Sequence, residues 1–264
     1  MLETKLRNLK KLLKKYGTVI IAYSGGVDST FLAKVSQDVL GENAIAVTIA
    51  TATLPKTELI DAEKFAKEIG IQHFIIDDPN LNTSWFADNP KERCYICKKN
   101  MIRTIREFCY EKGLKGELIE GSNLDDLKDF RPGFKAIKEL GVKSPLIEAE
   151  LTKKDIRKLS KQFGLPSWNK SPMPCLATRF PFGTSITKEQ LARIDEAESI
   201  IRALGLVNVR VRVHENNVVR IETAKDQLRL VVEQAQQITE QLKALGFRFI
   251  TLDLEGYQMG SMNL

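Results

Sequence analysis

A glycine-rich stretch near the amino end contains the residues of this chain that are best suited to chemistry. The stretch runs from Ser24 to Thr30 as SGGVDST, directly after the apolar run 18–23 and directly before a helical pattern. Glycines let a backbone turn tightly around an anion, and the unpaired N–H groups at a helix amino end attract phosphate. Three hydroxyl side chains add donors, and the carboxylate of Asp28 suits a Mg²⁺ ion that also binds phosphate. The sequence therefore predicts a phosphate-binding loop.

Three of the four cysteines lie in motifs that could hold or transfer sulfur. Cys94 and Cys97 are three residues apart in RCYICK, and Cys175 lies in the proline-flanked segment SPMPCLATR. A thiolate is a good nucleophile toward an activated acyl group, and the neighbouring Arg179 would favour the charged form of the thiol. Cys109, by contrast, lies in an apolar helical pattern and is interpreted as a core residue.

An alternation of apolar runs and helical patterns must position these residues. Buried strands are predicted at 18–23, 44–50, 73–77 and 117–120, and helices within the first fifteen residues and at 28–40 and 57–69. Strands that alternate with helices form parallel βαβ units with helices on both faces of the sheet. The sequence therefore predicts an α/β fold in which SGGVDST joins the first strand to the helix after it.

The pattern changes after a proline-rich segment at 169–184. Predicted beyond it are a helix opened by a capping box at Thr187, an alternating strand at 207–213, a second strand, a helix at about 226–245 and a strand at 247–254. The predicted domains are therefore 1–184 and a small α+β domain, 185–264. Arg210 and Arg212 are two residues apart on the alternating strand, so they would share one face and could fork around a phosphate. An exposed sheet face is the alternative interpretation of these two arginines.

The composition is that of a soluble globular protein. Hydrophobic residues make up 43% of the chain and charged residues 28%, which excludes disordered, collagenous and coiled-coil classes. No apolar run approaches the roughly 18 residues of a membrane span, and the first residues lack the apolar core of a signal peptide. We therefore expect a cytoplasmic protein. The net charge of +6 is mild, and it suits anionic small molecules as well as nucleic acid.

The motif SGGVDST resembles the PP-loop of the ATP pyrophosphatases, the superfamily of GMP synthetase, NAD synthetase, asparagine synthetase and the tRNA thiolation enzymes. The resemblance implies a parallel-sheet adenine nucleotide α-hydrolase-like domain that binds ATP and Mg²⁺. It also implies that ATP is cleaved between its α- and β-phosphates, that a substrate oxygen is adenylated, and that a nucleophile then displaces AMP. The implied nucleotide-binding residues are Ala22, Ser24, Gly25, Gly26, Asp28, Ser29 and Thr30, and Gly121 and Asp125 of the segment GSNLDD. The strand after the loop helix would supply backbone contacts to adenine, at Val47, Thr48 and Ile49.

Further motifs resemble the LarE family over nearly the whole chain. In chain order they are RCYICK, GSNLDD, the RPG at 131–133, PCLATR, VRVR and the closing GYQMGS. LarE proteins are ATP-dependent sulfur transferases of nickel-pincer nucleotide synthesis, which convert carboxylates of a pyridinium-3,5-dicarboxylate mononucleotide to thiocarboxylates. The resemblance places the sulfur donor at Cys175 and assigns the substrate's phosphate to Arg210 and Arg212. It gives Glu198 and Arg179 supporting roles near the transfer site.

The cysteines resemble the three-cysteine branch of that family, in which Cys94, Cys97 and Cys175 would bind a [4Fe-4S] cluster. Three thiolates leave one iron of a cubane without a protein ligand, and that iron could carry a transferable sulfide. Two alternatives stay open: sacrificial donation of the sulfur of Cys175 itself, and a structural zinc site with Cys109 as a fourth ligand.

The partners that these resemblances imply are a small nucleotide substrate and either sulfide or a sulfur-donor protein. We expect a homo-oligomer, no membrane and no nucleic acid. A tRNA thiolase of the same class is the main alternative, and the mild charge and the absence of a dedicated RNA-binding extension speak against it. A non-catalytic sensor of ATP and metal is a further alternative. An amidotransferase-type ligase is the last, although no glutaminase domain is recognised.

Overall fold

The computed structural model describes residues 2–78, 88–128, 132–258 and 261–262. The described residues form two compact units, each with its own sheet. The first unit takes the described parts of 1–51, 56–81 and 92–172, and the second those of 52–55, 82–91 and 173–264.

The first unit is built on a parallel sheet of four strands in the order β3-β2-β1-β4. The strands are β1 (Val19–Ala22), β2 (Ala44–Ala50), β3 (Gln72–Asp77) and β4 (Glu117–Glu120). The helices are α1 (Leu2–Tyr16), α2 (Val27–Leu40), α3 (Lys56–Ile69), α4 (Arg93–Glu111), α5 (Pro132–Glu139), α6 (Pro145–Glu148) and α7 (Lys153–Gln162). The predicted strands and helices of this part of the chain are confirmed to within one or two residues at each end.

Alternation along β1 explains why helices cover both faces of this sheet. Val19 and Ile21 point to one face and join a core with Leu9 of α1 and Phe31 of α2. Ile20, between them, points to the other face, where it joins a second core with α4 and α5. Burying each such aliphatic side chain contributes about 1.5–3 kcal/mol. The predicted α/β class, a parallel sheet with helices on both faces, is confirmed.

The second unit contains a smaller sheet in the order β5-β6-β7, with β5 (Arg210–His214), β6 (Val218–Glu222) and β7 (Phe249–Leu252). The first pair is antiparallel and the second parallel. Helices α8 (Lys188–Ala203), α9 (Leu228–Glu233) and α10 (Ala235–Ala244) accompany it. Thr187 and Gln190 form the predicted capping box reciprocally, with bonds of 3.2 and 2.8 Å.

Three details of the second unit differ from the sequence-based expectation. The last segment of the second unit begins at Met173, whereas the predicted domain boundary lies between residues 184 and 185. The segment begins earlier because the loop with Arg179 packs against α8 within the second unit. The strand predicted from Val207 begins at Arg210, since Asn208 has a left-handed φ of 55° that interrupts extended backbone. The helix predicted at 226–245 is two helices, because Gln234 caps both α9 and α10 with a ψ of 9° that lies outside the helical range.

None of the helices in the described part of the chain has both the length and the apolar character that a membrane crossing requires.

Candidate functional site

The glycine-rich loop joins β1 to α2 as predicted, and its own hydroxyls order it. Ser24 Oγ lies 3.0 Å from Ser29 Oγ and 3.4 Å from the Gly26 N–H, while Ser29 Oγ donates to the Gly26 carbonyl at 3.3 Å. Gly25 has a φ of +68°, and a Cβ built there would lie 2.8 Å from Ala62 of α3. Only glycine therefore fits the apex of the loop, and the amino end of α2 follows immediately.

A cavity of about 270 Å³ opens at the carboxyl ends of β1, β2 and β4, where parallel sheets bind their ligands. Loop residues and β4 line it with polar groups, whereas β2, α4 and α5 supply an apolar wall. The lining includes the candidate residues Ala22, Ser24, Gly26, Asp28, Ser29 and Gly121, together with Val47, Ile49, Lys98, Met101, Phe134 and Glu120. A phosphate-binding loop beside an apolar wall is the arrangement that a nucleotide requires.

Asp28 is the carboxylate of the glycine-rich loop, and it lines this cavity. Its Oδ2 lies 2.6 Å from Nζ of Lys153. Among the described residues, its Oδ1 is buried and makes no hydrogen bond of standard geometry, although the side chain of Asn123 is close enough to the carboxyl to lower its pKa. Burial raises the pKa of this carboxyl, and the ammonium of Lys153 offsets only part of that effect. An unsatisfied, desolvated carboxylate oxygen that faces a phosphate site fits a divalent cation.

Gly121 and Asp125 of the GSNLDD segment have different surroundings. A Cβ on Gly121 would lie 3.0 Å from the N atom of Ser29, so the backbone of this segment packs closely against the start of α2. Asp125 lies outside the cavity lining, and its Oδ2 accepts a bond of 2.9 Å from the N–H of Lys153. Asp125 therefore helps to place the lysine that pairs with Asp28.

Thr48 and Thr30 also turn away from the cavity. The Thr48 hydroxyl donates to the Tyr23 carbonyl at 2.9 Å and lies 2.8 Å from His73 Nε2. Since its single proton is used, Nε2 of His73 must be the donor in that second bond. Thr30 is buried beside the Tyr23 hydroxyl, at 3.4 Å. In this strand Val47 and Ile49, the neighbours of Thr48, are the residues that face the cavity.

Cys94 and Cys97 share one face of the first turn of α4, where Cys94 is exposed and Cys97 is half-buried. Cys109 is buried in the core twelve residues further along the same helix, about 18 Å away at 1.5 Å per residue. It cannot join the other two around one zinc ion, so the four-cysteine zinc alternative is wrong. Among the described residues, no group of three or more His, Cys, Asp or Glu side chains is placed to hold a metal.

Cys175 lies in the second unit, where it is exposed and free of disulfide bonds. The loop that carries it is fixed by Arg179, whose Nη1 donates to the carbonyls of Pro174 and Cys175 at 2.8 and 3.2 Å. Arg179 also forms a two-pronged ion pair with Glu198, at 2.8 and 2.9 Å, in which both side chains are fully buried. The guanidinium of Arg179 is thus neutralised by Glu198 and braces the backbone of the cysteine loop.

Arg210 and Arg212 are buried rather than exposed on an open sheet face. Arg212 pairs with Glu222 through two bonds of 3.0 and 2.9 Å and donates to the Thr178 carbonyl at 2.9 Å. The guanidinium of Arg210 lies 5.1 Å from the ring centre of Tyr257. Both arginines are therefore held in fixed positions by neighbours within the second unit.

Sequence reasoning missed several residues of the cavity. Lys98 follows Cys97 directly in RCYICK, so that motif carried a signal for it. Lys153 does not line the cavity but pairs with Asp28, which does, and it gave no signal because the two residues are 125 apart in the sequence. Parts of two motifs, Arg131 of RPG and Met259 and Gly260 of GYQMGS, lie outside the described residues.

Replacing Glu198 by glutamine is expected to destabilise the protein by about 3–5 kcal/mol, because Arg179 would remain buried without a counter-charge. Burial by itself would raise the pKa of Glu198, but Arg179 and the N–H of Val211 lower it overall. A carboxyl with a lowered pKa contributes stability above its unfolded pKa and loses that stability as the pH falls through its folded pKa. The difference between wild type and variant should therefore be largest near neutral pH and shrink in acid.

Urea unfolding at several pH values measures this effect. The exposed neighbour Glu196 provides the matched control, since Glu196→Gln is expected to change stability by less than about 0.5 kcal/mol. Equal midpoints for the two variants at neutral pH would contradict the role assigned to the buried pair.

Known proteins are similar to this chain over most of its length. The family model described as NAD synthase matches residues 1–176. An uncharacterised protein of Synechocystis sp. is 43% identical over 265 aligned residues, covering 100% of this chain and 98% of the relative. The pyridinium-3,5-bisthiocarboxylic acid mononucleotide synthase of Lactiplantibacillus plantarum is 35% identical, covering 99% and 95%. One component of the glutamine-hydrolysing GMP synthase of Thermoplasma volcanium is 30% identical, covering 74% and 66%.

Proposed function

Because this chain belongs to the LarE family of PP-loop ATP pyrophosphatases, which adenylate a substrate and transfer sulfur to it, we propose that it acts on a pyridinium-3,5-dicarboxylate mononucleotide. The product would carry a thiocarboxylate in place of each carboxylate that reacts. The observation that carries this proposal is the glycine-rich loop with the unsatisfied Asp28 oxygen beside an apolar-walled cavity, in a chain that matches the Lactiplantibacillus plantarum synthase from end to end.

The first step is the adenylation of the substrate. A carboxylate oxygen attacks the α-phosphorus of ATP, and pyrophosphate leaves. Backbone N–H groups and the hydroxyls of Ser24 and Ser29 would bind the leaving pyrophosphate. Asp28 would hold Mg²⁺, which neutralises phosphate charge when it is bound. Lys153, already within 2.6 Å of Asp28, would add a second positive charge at the same place.

The second step exchanges AMP for sulfur at the acyl carbon. Carboxylate oxygen is a poor leaving group and AMP is a good one, so adenylation makes the displacement feasible. The proposed donor position is Cys175, which is exposed in a loop whose carbonyls are held by Arg179. Arg179 and Glu198 act in this proposal as positioning residues, because both are fully buried in their mutual ion pair.

We propose that the transferred sulfur comes from an iron–sulfur cluster. Cys94 and Cys97 fit as a pair of cluster ligands, since the exposed Cys94 and the half-buried Cys97 share one face at the amino end of α4, where the helix dipole suits thiolates. Cys175 would be the third ligand. A [4Fe-4S] cluster held by three cysteines would supply a transferable sulfide when bound. Without it, Cys175 would have to give up its own sulfur.

Arg210 and Arg212 are proposed to bind the phosphate of the mononucleotide substrate. Support comes from their match to the LarE pattern and from their fixed side chains, because an ordered guanidinium loses little entropy on binding a phosphate. Arg212 would have to share its charge between Glu222, at 2.9 Å, and the substrate.

The proposed function is tested by incubating the purified protein with Mg·ATP, sulfide and the pyridinium dicarboxylate mononucleotide. Stoichiometric AMP and a mass gain of about 16 Da per exchanged oxygen, the mass difference between sulfur and oxygen, are the expected results. AMP formation that responds instead to unmodified tRNA would replace this proposal with a tRNA thiolase. ATP binding without AMP release for either substrate would replace it with a nucleotide sensor.

Iron and acid-labile sulfide after anaerobic purification test the sulfur source. We expect about four irons per chain in the wild type and a loss of most of them in Cys97→Ala. The matched control is Cys109→Ala, which removes a core thiol remote from the first turn of α4. An iron-free protein that loses the elements of hydrogen sulfide at Cys175 during turnover, which leaves dehydroalanine there, would show sacrificial donation instead.

A further inference from the structure

Lys170 forms an unusual buried contact behind the glycine-rich loop. Its Nζ lies 2.8 Å from Glu58 Oε1 and 2.7 Å from Asp61 Oδ2, both on α3. The same atom lies 3.5 Å from the carbonyl oxygen of Gly25. The side chain is 14% exposed, so this ammonium is held in the structure rather than free on the surface.

The apex of the loop rests on the same helix. Gly25 approaches Ala62 so closely that a Cβ would lie 2.8 Å from it. Ala62 follows Asp61 directly and lies one turn after Glu58. Lys170 therefore contacts both the loop apex and α3, the helix against which Gly25 packs.

The charges of Lys170 and of the two carboxylates on α3 affect the binding of a polyanion at this loop. Glu58 and Asp61 place two carboxylates behind the loop, and Lys170 is within ion-pair distance of both. Without the ammonium, both carboxylates would lose this positive counter-charge, and their repulsion of an incoming triphosphate would increase. The effect should come mainly from Glu58, because its side chain is 8% exposed whereas that of Asp61 is 37% exposed and better screened by solvent. Lys170 thus removes an electrostatic penalty from phosphate binding without having to contact the phosphate.

The backbone of Lys170 is fixed as well. Arg157 of α7 donates to the carbonyls of Trp168 and Lys170, at 2.7 and 2.9 Å. The same helix begins at Lys153, whose ammonium pairs with Asp28. Helix α7 therefore positions two ammonium groups: that of Lys153, which pairs with Asp28, and that of Lys170, which contacts Gly25.

We propose that Lys170 is a positioning residue of the phosphate-binding loop, which holds Gly25 on α3 and neutralises the two carboxylates behind it. This inference rests on the proposed function only in requiring that Mg·ATP binds at the loop. It adds a residue outside the glycine-rich motif to the determinants of nucleotide affinity.

The test measures the Kd of Mg·ATP by equilibrium dialysis on the full chain. Lys170→Met is expected to raise the Kd about tenfold, and added salt should shrink that increase. The matched control is Lys67→Met, an exposed lysine of the same helix as the two carboxylates, and its Kd should stay at the wild-type value. Adding Glu58→Gln and Asp61→Asn to Lys170→Met should return the Kd to within about threefold of wild type, because the repulsive charges are gone.

The outcomes separate this inference from the proposed function. A wild-type protein that does not bind Mg·ATP overturns the proposed function. A wild type that binds, with an unchanged Kd for Lys170→Met, overturns the role of Lys170. Weak binding that the two added neutral substitutions do not relieve assigns Lys170 a purely structural role and overturns the charge argument. If Lys170→Met does not fold, Glu58→Gln with Asp61→Asn in the presence of Lys170 must bind Mg·ATP more tightly than wild type, and an unchanged or weaker affinity overturns the proposal.

Discussion

AMP formation is expected to fall by at least about a thousandfold when Asp28 is replaced by asparagine, because the cation that neutralises the phosphates loses its charged ligand. The neutral amide keeps the size of the side chain. The loss should therefore appear already in the adenylation step, measured as pyrophosphate released from Mg·ATP in the presence of the pyridinium dicarboxylate mononucleotide.

The same substitution should not destabilise the protein, which makes the result easy to interpret. Folding raises the pKa of Asp28 because the carboxyl is buried. A carboxyl with a raised pKa loses folding stability as the pH rises from its unfolded to its folded value, so an uncharged amide at neutral pH removes that cost. Thermal unfolding of Asp28→Asn should show a midpoint equal to or above that of wild type.

Asp38 provides the matched control for Asp28. It lies near the other end of α2, is exposed, and pairs with Lys34 at 2.7 Å. Asp38→Asn should retain wild-type AMP formation and change stability by less than about 0.5 kcal/mol. Full activity in Asp28→Asn, or equal losses in both variants, would remove Asp28 from the proposed site.

The second large effect is expected at Cys175. Replacing Cys175 by serine should lower thiocarboxylate formation by at least about a thousandfold, because no thiol remains at the proposed donor position. Release of pyrophosphate in the first turnover should stay within about threefold of wild type, since adenylation does not use this side chain. Rapid-quench measurement of pyrophosphate, together with mass spectrometry of the nucleotide product, separates the two steps.

Cys109→Ala again serves as the control. The thiol of Cys109 is buried in the core, and burial raises its pKa. That variant should lose some stability, about 1 kcal/mol for a small cavity, and retain sulfur transfer. Product formation by Cys175→Ser at the wild-type rate would remove Cys175 from the proposed sulfur-transfer site.

The sequence predicted the first unit well because its signals are local. Buried apolar runs separated by helical patterns determine the parallel sheet, and the alternation of Val19, Ile20 and Ile21 explains its two covered faces. The second unit was harder. The valine alternation from 207 continued through Asn208, whose left-handed backbone is a single-residue exception that periodicity does not reveal.

The candidate site was predictable where it is continuous in sequence. Six candidate residues of the loop, β1 and the GSNLDD segment line the cavity. Long-range partners were not predictable, because a lysine on a distant helix is an ordinary surface residue in sequence, as Lys153 illustrates. The arginines of β5 show the same limit: alternation indicated a shared face, but only the fold reveals that Glu222 already pairs with Arg212.

The close approach of Gly25 to Ala62 has a consequence for how this family can vary. The two positions share one small volume, since even a single carbon added at 25 would lie 2.8 Å from residue 62. Backbone atoms of residue 62 are among those that such a carbon would meet, so no change of side chain at 62 could make room for it. Selection should therefore hold position 25 at glycine for as long as α3 packs against the loop, so that the placement of this helix is as constrained as the motif itself.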